Sequence, residues 1–173
     1  MADPPLKVYW DSCAWIGLVN AEADKLHPLR AIWEDAQKGK YEIWTSAYVH
    51  LEVFKAKNEK GDPLSPHESD ERIEAMLTQP FVKRVQLDIQ IAKCARDLRR
   101  SLDSLGLKSR PDAIHLATAV YWNLDELHTW DKKHLLDLNG HVDRRDGKPI
   151  LIRIPGPEVM GPLFAAPEIT SHG

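Results

Sequence analysis

Two kinds of hydrophobic pattern alternate along this chain. Short runs of β-branched, aromatic and aliphatic residues predict strands, at 7–12, 41–45, 81–87, 126–131 and 150–154. Longer stretches whose apolar residues recur every three or four positions predict helices, at 14–20, 29–38, 47–58, 67–77, 89–105 and 112–123, with a short one near 133–138. Strands that alternate with helices are typical of an α/β sandwich around a mostly parallel sheet, in this case of about five strands.

Residues that cap or break helices indicate where the elements end. Asp88 is expected to cap the longest helix, and Pro111 to open a helix with so little polar surface that it should be buried. Two prolines and a glycine at 61–66 predict the most mobile loop. Repeated prolines and glycines after residue 154 exclude a helix or a central strand. We therefore expect one domain at 1–154 and an irregular tail at 155–173.

Composition and charge narrow the class of protein. With 173 residues, 43% of them hydrophobic, the chain can bury a core without disulfides or structural metals. Its net charge of −3 gives no overall attraction to nucleic acid, so such a partner would need a local basic patch or a bound cation. Two separated cysteines without a CxxC pattern favour a reducing, cytoplasmic setting. Neither a signal peptide nor an apolar run of about 20 residues is present, so we expect no membrane segment.

Aspartates end two of the predicted strands. Asp11 closes the first strand and Asp131 closes the fourth. In an open α/β sheet, ligands bind outside the carboxyl ends of the strands, and two carboxylates brought together there repel unless a cation joins them. Glu52 and Asp112 lie on predicted helices that could carry them to the same edge. The four acids together favour a hard-cation site built from oxygen ligands.

Each acid also has an ordinary structural explanation. Asp11 fits a turn and Asp131 fits a helix N-cap. Asp112 fits the capping-box spacing behind Ser109, and Glu52 fits a solvated acid on a helix surface. Only the combination of all four acids argues for a metal site over these alternatives.

Other chemistries lack their motifs. The sequence has no HExxH, CxxC, GxSxG, Walker A or GxGxxG pattern, and its eight histidines are scattered. His115, on the helix expected to be buried, is predicted to be a satisfied core histidine. Cys13 is predicted to be a packing residue and not a nucleophile.

Four motifs stand in order along the chain: VYWDS at 8–12, TSA at 45–47 followed by Glu52 and Val53, PDAIHLATA at 111–119 and LHTWD at 127–131. In this order and at these intervals they resemble the PIN domain family, and within it the VapC-type toxins. The resemblance runs from residue 7 to residue 154. It implies a metal-dependent nuclease, acting on RNA with Mg²⁺ or Mn²⁺.

The resemblance also implies roles for single residues. It assigns four acids to the metal and to catalysis: Asp11, Glu52, Asp112 and Asp131. Glu52 would be a further ligand or a base behind the ligands. Two small hydroxyl residues would support the acids, namely Ser12 and Thr129. One departure is Cys13, which stands where many relatives carry asparagine.

Expectations about the substrate, the products and the partners come partly from this resemblance and partly from the residues themselves. RNA would have to approach an acidic pocket, so we predict that basic residues bind it, namely Arg96, Arg99, Arg110 and Lys132; the alternative is that they are solvated helix charges. Carboxylates without a well-placed histidine pair predict hydrolysis that leaves a 5′-phosphate and a 3′-hydroxyl, not a cyclic phosphate. A toxin of this type would have a small antitoxin lying over the acidic pocket.

The tryptophans predict a second kind of partner. Six of them are too many for all to lie in the core of a small domain, and exposed aromatic surface favours association, so we predict a homodimer.

Two other classes of protein stay open at this point. A catalytically weak PIN-like interaction module would keep the fold without the chemistry, but intact acids at all four positions argue against it. A receiver-type domain with an acidic pocket would need paired acids after the first strand, and Asp11 has no acidic neighbour.

Overall fold

A single parallel sheet organises the protein. The computed structural model describes residues 4–54 and 64–156. Its five strands are paired side by side in the order β3-β2-β1-β4-β5, and every pair is parallel. The strands are β1 (Leu6–Trp10), β2 (Tyr41–Ser46), β3 (Val82–Val85), β4 (Glu126–His128) and β5 (Leu151–Arg153). The predicted α/β architecture with a parallel sheet is confirmed.

Helices cover both faces of this sheet. They are α1 (Ser12–Val19), α2 (Leu26–Gln37), α3 (Val49–Val53), α4 (Pro66–Leu77), α5 (Ile89–Ser101) and α6 (Arg110–Tyr121), with 3-10 turns at Asp103–Leu105 and Leu136–Leu138. Successive residues of β1 point to opposite faces. Tyr9 joins the core beneath α5 and α6, whereas Val8 and Trp10 join the core beneath α1, α2 and α4. The strand is therefore buried on both sides, as a central parallel strand should be.

Caps explain where most of the helices begin. Asp88 accepts hydrogen bonds of 2.9 Å from the backbone N–H groups of Gln90 and Ile91, as predicted for the start of α5. Ser109 accepts one of 3.3 Å from the N–H of Asp112 and so fixes the first turn of α6. This helix is buried along most of its length, as its composition predicts.

Several predicted helix boundaries were wrong, among them those of the second and third helices. The helix expected at 29–38 begins three residues earlier, because Pro28 lies in its first turn, where a missing N–H is tolerated. The helix expected at 47–58 begins at Val49, since β2 continues through Ser46, which pairs with Val85 of β3. It ends at Val53, and Phe54 is extended, with φ −80° and ψ 130°.

Some predictions fall on parts of the chain that the structure does not describe. These are residues 61–63 of the loop expected to be mobile at 61–66, and the tail from residue 157 onward. Within residues 4–54 and 64–156, no helix is both long and apolar enough to cross a bilayer.

The strand order brings two chain segments together at one edge of the sheet. The chain leaves β1 to build β2 and β3 on one side, then returns to build β4 and β5 on the other. Trp10 pairs with His128, so the residues that follow these two ends, Asp11 and Thr129, emerge side by side. Ligands of open α/β sheets bind at such a reversal of strand order.

Candidate active site

Asp11 begins the site at the carboxyl end of β1. It is the N-cap of α1, where its Oδ1 accepts a hydrogen bond of 3.0 Å from the N–H of Ala14, and only 3% of the residue is exposed. Burial raises the pKa of this carboxyl, and the charge of His115 and the hydrogen bonds of Thr129 and Ala14 only partly offset that rise. Asp11 therefore has the structural role expected of a turn aspartate, and it also lies where the strand order reverses.

Thr129 connects Asp11 to Asp131. Its fully buried hydroxyl donates to the Asp11 carboxylate and accepts a hydrogen bond of 2.9 Å from the N–H of Asp131. Ser12, the other hydroxyl residue predicted to support the acids, is the half-buried first residue of α1. Because one hydroxyl serves both segments, the relative placement of the two aspartates is fixed.

A compact group of metal-binding side chains lies next to this link. His134 Nδ1 is 3.2 Å from Asp112 Oδ2 and 3.1 Å from Asp131 Oδ2. One ligand atom from each of the three residues lies within 4.8 Å of the other two. Burial raises the pKa of Asp112, and the nearby charge of Asp131 adds to the rise. Two carboxylates and an imidazole at this spacing form a donor set suited to a divalent cation.

Glu52 lies beside the buried His115. Glu52 Oε2 is 2.7 Å from His115 Nε2, and His115 Nδ1 is 2.8 Å from the hydroxyl of Tyr9, which donates to Ser46 Oγ. Burial lowers the pKa of His115, but the Tyr9 hydroxyl, Glu52 and Asp11 outweigh it and raise that pKa to about 10. At neutral pH the ring is therefore an imidazolium that donates to both neighbours. Both ring nitrogens of His115 therefore have partners in the core, as expected, and one of these partners is Glu52, a predicted site acid.

The four predicted acids lie close enough to influence one another's surroundings. The charge of Glu52 acts on Asp11, and Asp11, Asp131 and Glu52 all act on Cys13. Burial, followed by the charge of Asp11, raises the pKa of the Cys13 thiol to about 12, which suits a packing residue and not a nucleophile. Asp112 and Asp131 meet directly at His134, whereas Asp11 and Glu52 stand outside that group of mutually close ligand atoms.

Three of the predicted basic residues share a pocket between α5 and α6. The pocket has a volume of about 210 Å³ and an apolar floor that includes Leu87 and Ile114. The arginines that line it are Arg96, Arg99 and Arg110. Arg99 Nε is buried without a hydrogen-bond partner among the described residues. The fourth predicted basic residue, Lys132, does not line this pocket and is exposed next to Asp131 in the sequence. Ala113 also lines the pocket, so the pocket and Asp112 share the first turns of α6.

His134 is the site residue that the sequence analysis missed. It lies three residues after Asp131, in a turn where Asp131 Oδ1 accepts hydrogen bonds from the N–H groups of Lys133, at 2.8 Å, and His134, at 3.1 Å. The available signal was the Asp-x-x-His spacing itself. When the first aspartate caps such a turn, its side chain and that of the histidine lie on the same side.

Comparisons with known proteins concern the family and the fold. The family model of the PIN domain matches residues 8–138, while no curated protein matches the sequence. VapC20 from Mycobacterium tuberculosis, described as a Sarcin-Ricin loop cleaving toxin, is similar with a TM-score of 0.57 at 17% identity, over 72% of this chain and 89% of that one.

Two complexes contain similar folds. The DNA-bound VapBC of Salmonella typhimurium gives a TM-score of 0.57 at 16% identity, over 85% of this chain and 98% of that one. FitAcB of Neisseria gonorrhoeae gives 0.59 at 14% identity, over 86% of this chain and 97% of that one. At these identities the likenesses concern the fold.

Proposed function

Because the chain belongs to the PIN domain family, we propose that it is a metal-dependent endoribonuclease that hydrolyses RNA phosphodiester bonds. The observation that carries the proposal is the grouping of Asp112, Asp131 and His134 beside Asp11, where the strand order reverses. Enzymes with open α/β sheets bind their ligands at this place. A receiver-type domain is no longer an alternative, because the family is a different one.

The donor set fits a divalent cation such as Mg²⁺ or Mn²⁺. Asp112 and Asp131 would hold it, with Asp11 and Glu52 adding negative charge from behind. Burial raises the pKa values of Asp11 and Asp112, and a neighbouring carboxylate adds to each rise, so the ionised forms are unfavourable until a cation balances their charge. When bound, the cation would polarise a phosphoryl oxygen and acidify a water molecule.

The chain's own residues then have defined tasks. Thr129 holds Asp11 and the backbone of Asp131 in one arrangement. His115 orients Glu52 by a hydrogen bond of 2.7 Å. Both contacts keep carboxylates in place before substrate arrives, which is the preorganisation that catalysis requires.

RNA is the proposed substrate, and the arginine pocket is its proposed contact. The protein carries a net charge of −3, so attraction to RNA must be local. Three arginines line the pocket next to the first turns of α6, which also carry Asp112. A strand bound at the arginines would reach the acids along this helix.

A toxin–antitoxin role is proposed on the similarity to VapBC and FitAB proteins. A small antitoxin would then cover the acidic pocket. Induced expression of the chain alone should arrest bacterial growth, and co-expression of a protein encoded beside it should restore growth and co-purify. Normal growth, with no co-purifying neighbour, would contradict this role without affecting the nuclease proposal.

One observation favours a second mechanism. The expectation of 5′-phosphate products rested on the lack of a placed histidine pair, but His115 and His134 both lie at the site. Histidines can activate the 2′-hydroxyl of RNA without a metal, and the product is then a cyclic phosphate. His115 is buried and already engaged on both ring nitrogens, so the metal-dependent route is the better supported one.

End-labelled RNA separates the two mechanisms. The purified protein is incubated with Mg²⁺, with Mn²⁺ or with EDTA, and the ends of the products are determined. We expect cleavage only with metal, 5′-phosphate ends, and loss of activity on the order of 10²-fold or more in Asp112→Asn. Cleavage that persists in EDTA with cyclic-phosphate ends would establish the metal-free route.

A further inference from the structure

We infer that His134 is a third protein ligand of the metal, and that its nitrogen makes the site prefer a first-row transition ion such as Mn²⁺ to Mg²⁺. The inference rests on the proposed function and specifies the ion that the site selects. It concerns a residue that the family's four acids do not include.

The local backbone places His134 for this role. Asp131 Oδ1 accepts hydrogen bonds from the backbone N–H groups of Lys133 and His134, which fixes the turn. Asp131 Oδ2 is the oxygen that faces the imidazole, at 3.1 Å from Nδ1. One carboxylate oxygen therefore builds the turn, and the other points into the group.

The second carboxylate comes from a different element. Asp112 lies in the first turn of α6, where the hydroxyl of Ser109 accepts from its N–H. Its Oδ2 reaches to 3.2 Å from the same His134 nitrogen. All three side chains are half-buried, with 17%, 22% and 23% exposure for Asp112, Asp131 and His134, so an ion between them would be partly shielded from water yet accessible.

The donor chemistry determines the preferred ion. Mg²⁺ is a hard cation that takes oxygen ligands in a near-ideal octahedron and loses its water reluctantly. Imidazole suits first-row transition ions, most strongly Ni²⁺, Cu²⁺ and Zn²⁺, whereas carboxylates suit both Mg²⁺ and Mn²⁺. Of these two, Mn²⁺ is the transition ion and takes a nitrogen ligand more readily than Mg²⁺ does. A set of two oxygens and one nitrogen therefore disfavours Mg²⁺ more than it disfavours Mn²⁺.

A competing explanation predicts the opposite result. In this explanation, His134 Nδ1–H only donates to both carboxylates and holds them together in place of an ion. In that case removing the imidazole would remove a competitor and would leave Mn²⁺ affinity unchanged or raise it. The direction of the change in Mn²⁺ affinity therefore shows whether His134 binds the ion or only holds the two carboxylates together.

The test measures metal binding to the full chain without RNA. Titration calorimetry gives the Mn²⁺ and Mg²⁺ affinities of the wild type, of His134→Ala and of the control His141→Ala, which alters an exposed histidine outside the group. We expect Mn²⁺ affinity to fall about 10–100-fold or more in His134→Ala, the scale known for losing a supporting group at a metal site. The control should match the wild type.

Two further readouts make the assignment specific. Pulsed electron paramagnetic resonance of bound Mn²⁺ should show coupling to an imidazole ¹⁴N in the wild type and lose it in His134→Ala. His134→Asp creates an all-oxygen set, so its ratio of Mn²⁺ to Mg²⁺ affinity should fall towards one.

The outcomes also separate this inference from the proposed function. Unchanged or higher Mn²⁺ affinity in His134→Ala, or no nitrogen coupling in the wild type, overturns the role of His134. If binding is still lost in Asp112→Asn, the metal-dependent nuclease stands without that role. If the wild type binds neither ion, both the inference and the proposed function fail.

Discussion

At the scale of single residues, His115 is the link between the site and the core. It is 1% exposed, and its two ring nitrogens contact Glu52 and Tyr9. Losing Glu52 would be harmful, because the charge of the buried His115 would be left uncompensated. The position of Glu52 thus depends on a residue that does not itself face the solvent.

This contact predicts a pH dependence of stability. The pKa of His115 is about 10 in the folded protein, above its ordinary value of 6.5. The contribution of His115 to the stability of the fold is therefore complete below pH 6.5. It declines as the pH rises and is lost above pH 10. Urea unfolding in EDTA from pH 6 to pH 10 should show the wild type losing stability relative to His115→Asn. Parallel curves for the two proteins would contradict the prediction.

Asp11→Asn should separate activity from stability. Burial raises the pKa of Asp11, so its ionised form is unfavourable in the folded protein. Asparagine is an equally good N-cap, so the start of α1 should be preserved. We expect RNA cleavage to fall on the order of 10²-fold or more, while the melting temperature in EDTA stays the same or rises. A marked drop in melting temperature would assign Asp11 a mainly structural role.

At the scale of elements, the features that depend only on neighbouring residues in the sequence were predicted correctly. Caps such as Asp88, and the continuous apolar surface of α6, are encoded within a few residues and were predicted from sequence. The end of β2 was not, because Ser46 remains in the strand through its pairing with Val85, about forty residues away. His134 was missed for the same reason: only the fold brings its turn beside α6.

The α5–α6 pocket predicts how RNA binding responds to salt. Replacing Arg99 by alanine should weaken RNA binding to catalytically inactive Asp112→Asn protein. It should also reduce the slope of log affinity against log salt by about one, if one phosphate contact is lost. Arg30→Ala is the matched control, because Arg30 is an exposed arginine on α2. Equal effects of both variants would mean that the pocket does not bind RNA.

At the scale of the whole molecule, the predicted homodimer needs a different basis. The argument from tryptophans holds only in part, because Trp122 is the one exposed tryptophan among the described residues. Trp10 and Trp15 are fully buried, and the other three are half-buried. Exposed aliphatic residues now support the prediction, with Leu51 77% and Ile89 64% exposed.

Light scattering over a range of protein concentrations tests the dimer. We expect a mass near twice the 19.7 kDa of one chain, and Ile89→Glu or Leu51→Glu should shift it towards one chain. A monomer mass at all concentrations would contradict the prediction.

The central claim is that the acids at the edge of the sheet bind a divalent cation. The most direct measurement is an anomalous difference map from crystals soaked in Mn²⁺. We predict a peak bound by Asp112, Asp131 and His134, beside Asp11, that is absent from Asp112→Asn crystals. A map with no peak there, at a Mn²⁺ concentration that supports RNA cleavage in solution, would contradict the claim.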